Sequence, residues 1–188
     1  ILAHLLSPGE FGLVAMVTVI TGFAGIFAEL GFSAALVQKR DIGQEHLSTV
    51  FWLNIGAGLL LMLIFMAGSP LIAGFYNKPQ LILLTIVIST NFLINSLCIV
   101  QKTLMTKSLD FRTLSIVEIA TVGISGIIAI IMAYSGFGVW SLAIQSVVTS
   151  MTKVVSLWKL SKWRPHFEFH WWAIKNLIGF SSSFAGTQ

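Results

Sequence analysis

The sequence predicts an all-α chain, a polytopic transmembrane helical bundle, on three observations. Hydrophobic residues fill 56% of the 188 positions and charged residues only 10%, against about a quarter charged in ordinary soluble domains. The mean hydropathy is +0.90. The apolar residues fall into runs near the ~20 residues a helix needs to cross the hydrocarbon core. A soluble enzyme or a nucleic-acid-binding domain does not fit this composition. The single cysteine, Cys98, excludes a disulfide within these residues and any multi-cysteine metal site.

The elements follow in order from the punctuation. Ile1–Leu6 reads as the tail of a first span, and Ser7-Pro8-Gly9-Glu10 as a turn carrying a helix-start signal. The second span is predicted over Phe11–Gly31, followed by a polar loop through residues 39–46. The third is Leu47–Ser69, ended by Pro70, with Leu71–Tyr76 at the interface and Asn77-Lys78-Pro79 as a turn. The fourth is Gln80–Val100, followed by a polar connector over 101–112. The fifth is Thr113–Tyr134, Ser135–Gly138 is a tight turn, and the sixth is Val139–Leu160. A basic and aromatic loop fills 161–172, and a seventh span starts near Ala173. The chain opens inside an apolar run without an initiator Met and closes on an uncapped helical run, the pattern expected of a fragment.

The charge reads as topology. Ten of the eleven basic residues fall on one side of the predicted spans, and Lys78 stands alone on the other. The side with ten is therefore predicted to be cytoplasmic, with loops 39–46, 101–112 and 161–172. Tyr76, Tyr134 and Trp140 fall near outer ends, while Trp52, Trp158, Trp163, Trp171 and Trp172 fall near inner ends, as an aromatic belt requires. No basic face is built for nucleic acid.

Polar residues recur inside the spans at intervals of three or four. The sixth span carries Ser141, Gln145, Thr149, Thr152 and Ser156, the fifth Ser115, Glu118, Thr121 and Ser125, and the fourth Asn91, Asn95, Cys98 and Lys102. Each set shares a helix face that should avoid lipid. These three stripes suit a hydrated cleft. Thr18, Gly22 and Gly25 of the second span read as helix-packing positions. Glu29, Glu118 and Lys153 are the ionisable groups within the spans, and such groups mark functional sites. Glu118 and Lys153 lie at similar depth on consecutive antiparallel helices, so they are predicted to pair.

Other chemistry is poorly represented. His166, Glu168 and His170 alternate in a loop without a further cluster to complete a metal shell. Ser181–Ser183 lacks the strand-turn context of a nucleophile elbow. Gly136-Phe137-Gly138 lacks the rest of a dinucleotide or P-loop fingerprint. No metal or cofactor is expected, and the chain does not read as an enzyme.

Several stretches carry a resemblance to a known family. They are Leu5–Met16, Glu29–Lys39, His46–Asn54, Leu109-Asp110-Phe111-Arg112, Gly136–Leu142 and Trp163-Arg164-Pro165. Together they resemble the colanic-acid-exporter-like branch of the Wzx-type lipopolysaccharide and O-antigen flippases. That branch lies in the multidrug/oligosaccharidyl-lipid/polysaccharide superfamily. The resemblance implies twelve to fourteen spans in two lobes around a cavity. Residues 1–172 would then be most of the amino-terminal lobe, and 173–188 the start of span seven. The implied partners are membrane lipids, the carboxy-terminal half of the transporter and an undecaprenyl-pyrophosphate-linked oligosaccharide. The implied process moves that oligosaccharide across the bacterial inner membrane.

With that resemblance, the residues read as a cleft working by alternating access. Gln145, Asn91, Asn95, Ser141 and Thr149 are candidates for hydrogen bonds to sugar, Lys153 and Arg112 for attraction of pyrophosphate, and Glu118 or Glu29 for coupling an ion. The rival readings are a cation-coupled multidrug antiporter of the same superfamily, a membrane glycan-modifying enzyme and a structural membrane subunit. The antiporter would need an acidic residue deep in the cavity. The enzyme would need a sizeable outer loop.

Overall fold

Helix signals and helix breaks in the chain account for the architecture of the computed structural model, which describes residues 5–28 and 43–167. Six helices occupy them: α1 (Pro8–Ala28), α2 (Gln44–Tyr76), α3 (Gln80–Ser96), α4 (Ile99–Lys107), α5 (Phe111–Tyr134) and α6 (Val139–Leu160). No strand occurs among the described residues. α1 starts at a capping box. The Ser7 N–H donates to Glu10 Oε2 at 2.7 Å, the Glu10 N–H donates to Ser7 Oγ at 3.4 Å, and Pro8 takes the first helical position. Asp110 caps α5, accepting from the Thr113 N–H at 3.2 Å. The Thr113 hydroxyl and N–H hold the Asp110 carboxyl below its ordinary value.

Two boundaries differ from the sequence expectation. Pro70 does not end its span, because α2 runs on to Tyr76. A proline lacks the N–H that would bond the carbonyl four residues back. Here that carbonyl, Met66 O, accepts instead from the Ser69 hydroxyl at 2.8 Å. Ser69→Ala is therefore expected to cost about 1 kcal/mol in unfolding measurements on the detergent-solubilised protein. In a Pro70→Ala background the same change should cost almost nothing, because the restored N–H reclaims Met66 O. An equal cost in both backgrounds would sink this account.

The polar connector expected at 101–112 is largely helical. α4 fills Ile99–Lys107, with Val100, Gln101, Thr103 and Met105 buried. α3 and α4 meet at a bend of 46°. Leu97 O at the break accepts the Trp158 indole N–H at 2.8 Å, so α6 supplies a partner where the helix is interrupted.

The helices run alternately up and down. The turns before α1, between α2 and α3 and between α5 and α6 lie at one end, here the turn end. The starts of α2 and α5 and the ends of α4 and α6 lie at the other, the basic end. Lys78 lies at the turn end, while Lys102, Lys107, Arg112, Lys153, Lys159, Lys162 and Arg164 lie toward the basic end. Lys39, Arg40 and Lys175 fall outside the described residues.

α3 packs against α1, α2 and α6, and α5 lies along α6. The turn end holds a packed cluster of Val17, Ala73, Leu81, Leu84, Ile88 and Ala143. The basic end holds Leu47, Val50, Phe51 and Val100, covered by Trp52, Trp158 and Trp163. There residues 161–167 strap across the start of α2. The Trp163 indole N–H donates to Gln44 Oε1 at 2.7 Å, Gln44 Nε2 donates to Arg164 O at 2.8 Å, and the Trp52 indole N–H donates to His166 O at 3.0 Å.

Outward faces are apolar. Ile119, Val122 and Ile127 of α5 and Leu60, Leu63 and Ile64 of α2 are exposed. α1 over Pro8–Gly25, α2 and α5 are each long and apolar enough to cross a membrane, and α3 with α4 makes a fourth if the bent pair is one span. α6 has 22 residues but falls short in apolarity, because one face carries Gln145, Ser146, Thr149, Ser150 and Lys153.

Candidate functional site

That polar face of α6 lines a cavity of about 920 Å³ between α1, α2, the α3–α4 pair and α6. The lining begins at Val14, Ile88 and Leu142, beside the packed cluster of the turn end, and runs toward the basic end as far as Gly25, Lys102 and Lys153. The cavity is thus capped by apolar packing on one side and bordered by lysines on the other.

Asn91, Asn95, Gln145, Thr149 and Lys153, all predicted cleft residues, line this cavity. The Asn91 Nδ2 donates to Ser146 Oγ at 3.1 Å and so ties α3 to α6 within the wall. Two predicted residues do not line it. Ser141 is wholly buried near the start of α6, where its hydroxyl donates to Gly138 O at 2.7 Å. Its position on the stripe placed it one turn too near the packed cluster. Arg112 is exposed in the first turn of α5, a helix that contributes no residue to the wall. Glu29 lies outside the described residues.

The predicted charge pair forms. Lys153 Nζ lies 2.8 Å from Glu118 Oε2, with the lysine side chain 24% exposed and the glutamate 57%. The two partners are not equivalent, because Lys153 lines the cavity and Glu118 reaches it from α5, behind the wall.

Two stripes exchange the roles expected of them. Thr121 and Ser125 of α5 continue through Ala129 and Ala133 as a buried row at every fourth residue. This row is a close packing seam of small residues. Conversely, Thr18, Gly22 and Gly25 of α1 line the cavity. A Cβ added at Gly22 or Gly25 would meet nothing within 4 Å, so these glycines face open space and are not packing contacts. Periodicity identifies a polar face but not what it faces.

Lys102 of the fourth-span stripe also lines the cavity, and sequence reasoning missed Asn54 as a wall residue. Lys102 shares the register of Asn91, Asn95 and Cys98, a signal that carries through the helix break. Asn54 is a lone amide in an apolar run, which is itself a marker in a membrane helix. Among the described residues no three His, Cys, Asp or Glu side chains gather as metal ligands.

Lipid-compatible outer faces around a polar cavity define a multi-pass membrane protein. The family described as "Polysaccharide biosynthesis protein" matches residues 1–188, and the chain belongs to that family. The teichuronic acid biosynthesis protein TuaB of Bacillus subtilis (strain 168) is 34% identical over 164 residues, covering 86% of this chain and 34% of that protein. The succinoglycan biosynthesis transport protein ExoT of Rhizobium meliloti (strain 1021) is 29% identical over 189 residues, covering 100% of this chain and 38% of that protein. The lipopolysaccharide biosynthesis protein WzxC of Escherichia coli (strain K12) is 28% identical over 122 residues, covering 65% of this chain and 25% of that protein. The chain thus spans about a third of the length of the first two relatives. No solved structure matches it.

Proposed function

We propose that this chain forms the amino-terminal lobe of a flippase that moves an undecaprenyl-pyrophosphate-linked oligosaccharide across the bacterial inner membrane. The observation that carries this reading is the cavity, with neutral amides and hydroxyls along its length and Lys102 and Lys153 at its basic end. A headgroup of sugars and a pyrophosphate needs both kinds of surface. The lipid tail can stay in the bilayer while the headgroup crosses the polar cavity. The basic end faces the cytoplasm on this reading, so the lysines border the cavity on its inner side and the packed cluster of the turn end caps it on its outer side. Rocking against a carboxy-terminal lobe would invert that arrangement.

In this scheme Gln145, Asn91, Asn95 and Thr149 bond sugar hydroxyls, Lys153 attracts the pyrophosphate, and Glu118 or Glu29 couples an ion. Ser141 and Arg112 have no place at the cavity wall. The Lys153→Ala, Gln145→Ala double variant of the full-length protein is expected to lower outer-leaflet delivery of lipid-linked oligosaccharide at least about tenfold, the equivalent of removing one charge-assisted hydrogen bond. Normal delivery by that variant, measured in a deletion strain, would remove the cavity from the transport path.

A further inference from the structure

One side chain on the cavity wall has no role in the scheme above. Asn54 of α2 is only 1% exposed, and neither its Nδ2 nor its Oδ1 has a hydrogen-bond partner among the described residues. It lines the cavity. Across the wall on α3, the Oδ1 of Asn91 is also buried without a partner, while its Nδ2 is taken by Ser146. A buried amide without partners is costly, and folded proteins avoid it unless something else is gained.

The chemistry of these atoms selects their ligand. A primary amide offers a donor and an acceptor side by side, and a sugar hydroxyl is itself donor and acceptor, so the two match. An anion would be served by the Asn54 Nδ2 alone and would leave both orphaned carbonyl oxygens facing negative charge. The contact of Gly58 with Phe92 and Ser96 sets Asn54 about level with Cys98, roughly two turns nearer the basic end than Asn91 and about one turn short of Lys102. We propose that Asn54 reads a hydroxyl of the sugar next to the pyrophosphate, with the phosphates toward the lysines and Asn91 facing the saccharide farther toward the capped end. The subsite rests on the lipid-linked-saccharide reading above and adds the residue and the orientation.

The test uses purified full-length protein in detergent and four probes: farnesyl pyrophosphate, and the same lipid carrying glucose, galactose or N-acetylglucosamine. Titration calorimetry gives the gain in affinity that each sugar adds over the bare lipid. For the wild type at least one sugar should add about tenfold. In Asn54→Leu that gain should vanish while the affinity for bare farnesyl pyrophosphate stays within about twofold. The melting midpoint of Asn54→Leu should rise, because the substitution removes a buried amide that nothing in the fold satisfies. A structural amide would lower it. Asn54→Ala serves the same comparison if the leucine variant does not fold.

A sugar gain that survives both Asn54 variants overturns the subsite, and so does the absence of any gain from all three sugars. A melting midpoint lowered in both Asn54→Leu and Asn54→Ala overturns it as well. Failure of the wild type to bind even bare farnesyl pyrophosphate would instead overturn the pyrophosphate reading, and the subsite with it.

Discussion

Replacing Gly58 by valine is expected to separate α2 from α3 and to collapse the yield of folded protein. A Cβ at Gly58 would sit 2.7 Å from Phe92 O and 2.9 Å from both Ser96 Cβ and Ser96 Oγ. The first neighbour is backbone and cannot rotate away, so the helices themselves must move. Even Gly58→Ala should cost about 2–3 kcal/mol, the upper range for overpacking, and valine more. The matched control is Gly56→Ala on the same helix, where an added Cβ meets nothing within 4 Å. There alanine should be neutral or stabilise by about 0.5–1 kcal/mol through helix propensity. Thermal melting of the detergent-purified variants checks the contrast. Equal midpoints for the two alanine variants would mean that the helices do not meet this closely. The effect should reach function as well, because Gly58 and Ser96 both line the cavity.

The second large effect concerns the ion pair. Glu118→Lys or Lys153→Glu alone places like charges together and should cost about 2–3 kcal/mol, the scale of an uncompensated charge within a membrane helix. Each should also reduce transport about tenfold or more. The double reversal should restore stability, since the exchanged charges can pair across the same gap, 2.8 Å in the native protein. It should not restore transport, because it would put a carboxylate on the cavity wall where Lys153 now stands. Sequence alone treats the two charges as interchangeable and leads to an expectation of full rescue. Placement of one partner in the wall and the other behind it splits the two readouts. Midpoint and export, measured on the native protein, both single reversals and the double reversal, separate them. Full recovery of export would show that Lys153 acts only through its pairing with Glu118.

How far the site was legible differs from residue to residue. Asn91, Asn95 and Gln145 were legible because an amide in an apolar helix has few tolerable places to point. The Glu118–Lys153 pair was legible because a tight turn joins α5 to α6, which fixes equal depth from residue counts. The α1 glycines were misread because a small residue suits both a close helix contact and an open wall. Ser141 was misread because a stripe continues past the point where the cavity ends. Continuation of α2 through Pro70 was not legible, since it depends on whether a neighbouring hydroxyl reaches the freed carbonyl.

The amino-acid sequence by itself determined the solvent of this protein, its helical class, the order of its turns and the asymmetry of its basic residues. These follow from local quantities: the length of apolar runs, the position of Pro and Gly, and the count of lysines and arginines on alternate loops. Only the tertiary structure decided which polar faces meet each other and which meet the cavity, that Asn54 belongs to the wall, and that Arg112 does not. The physical reason is that periodicity defines a direction around one helix axis. What lies in that direction is set by the neighbouring helices, through contacts as specific as the one that Gly58 leaves room for.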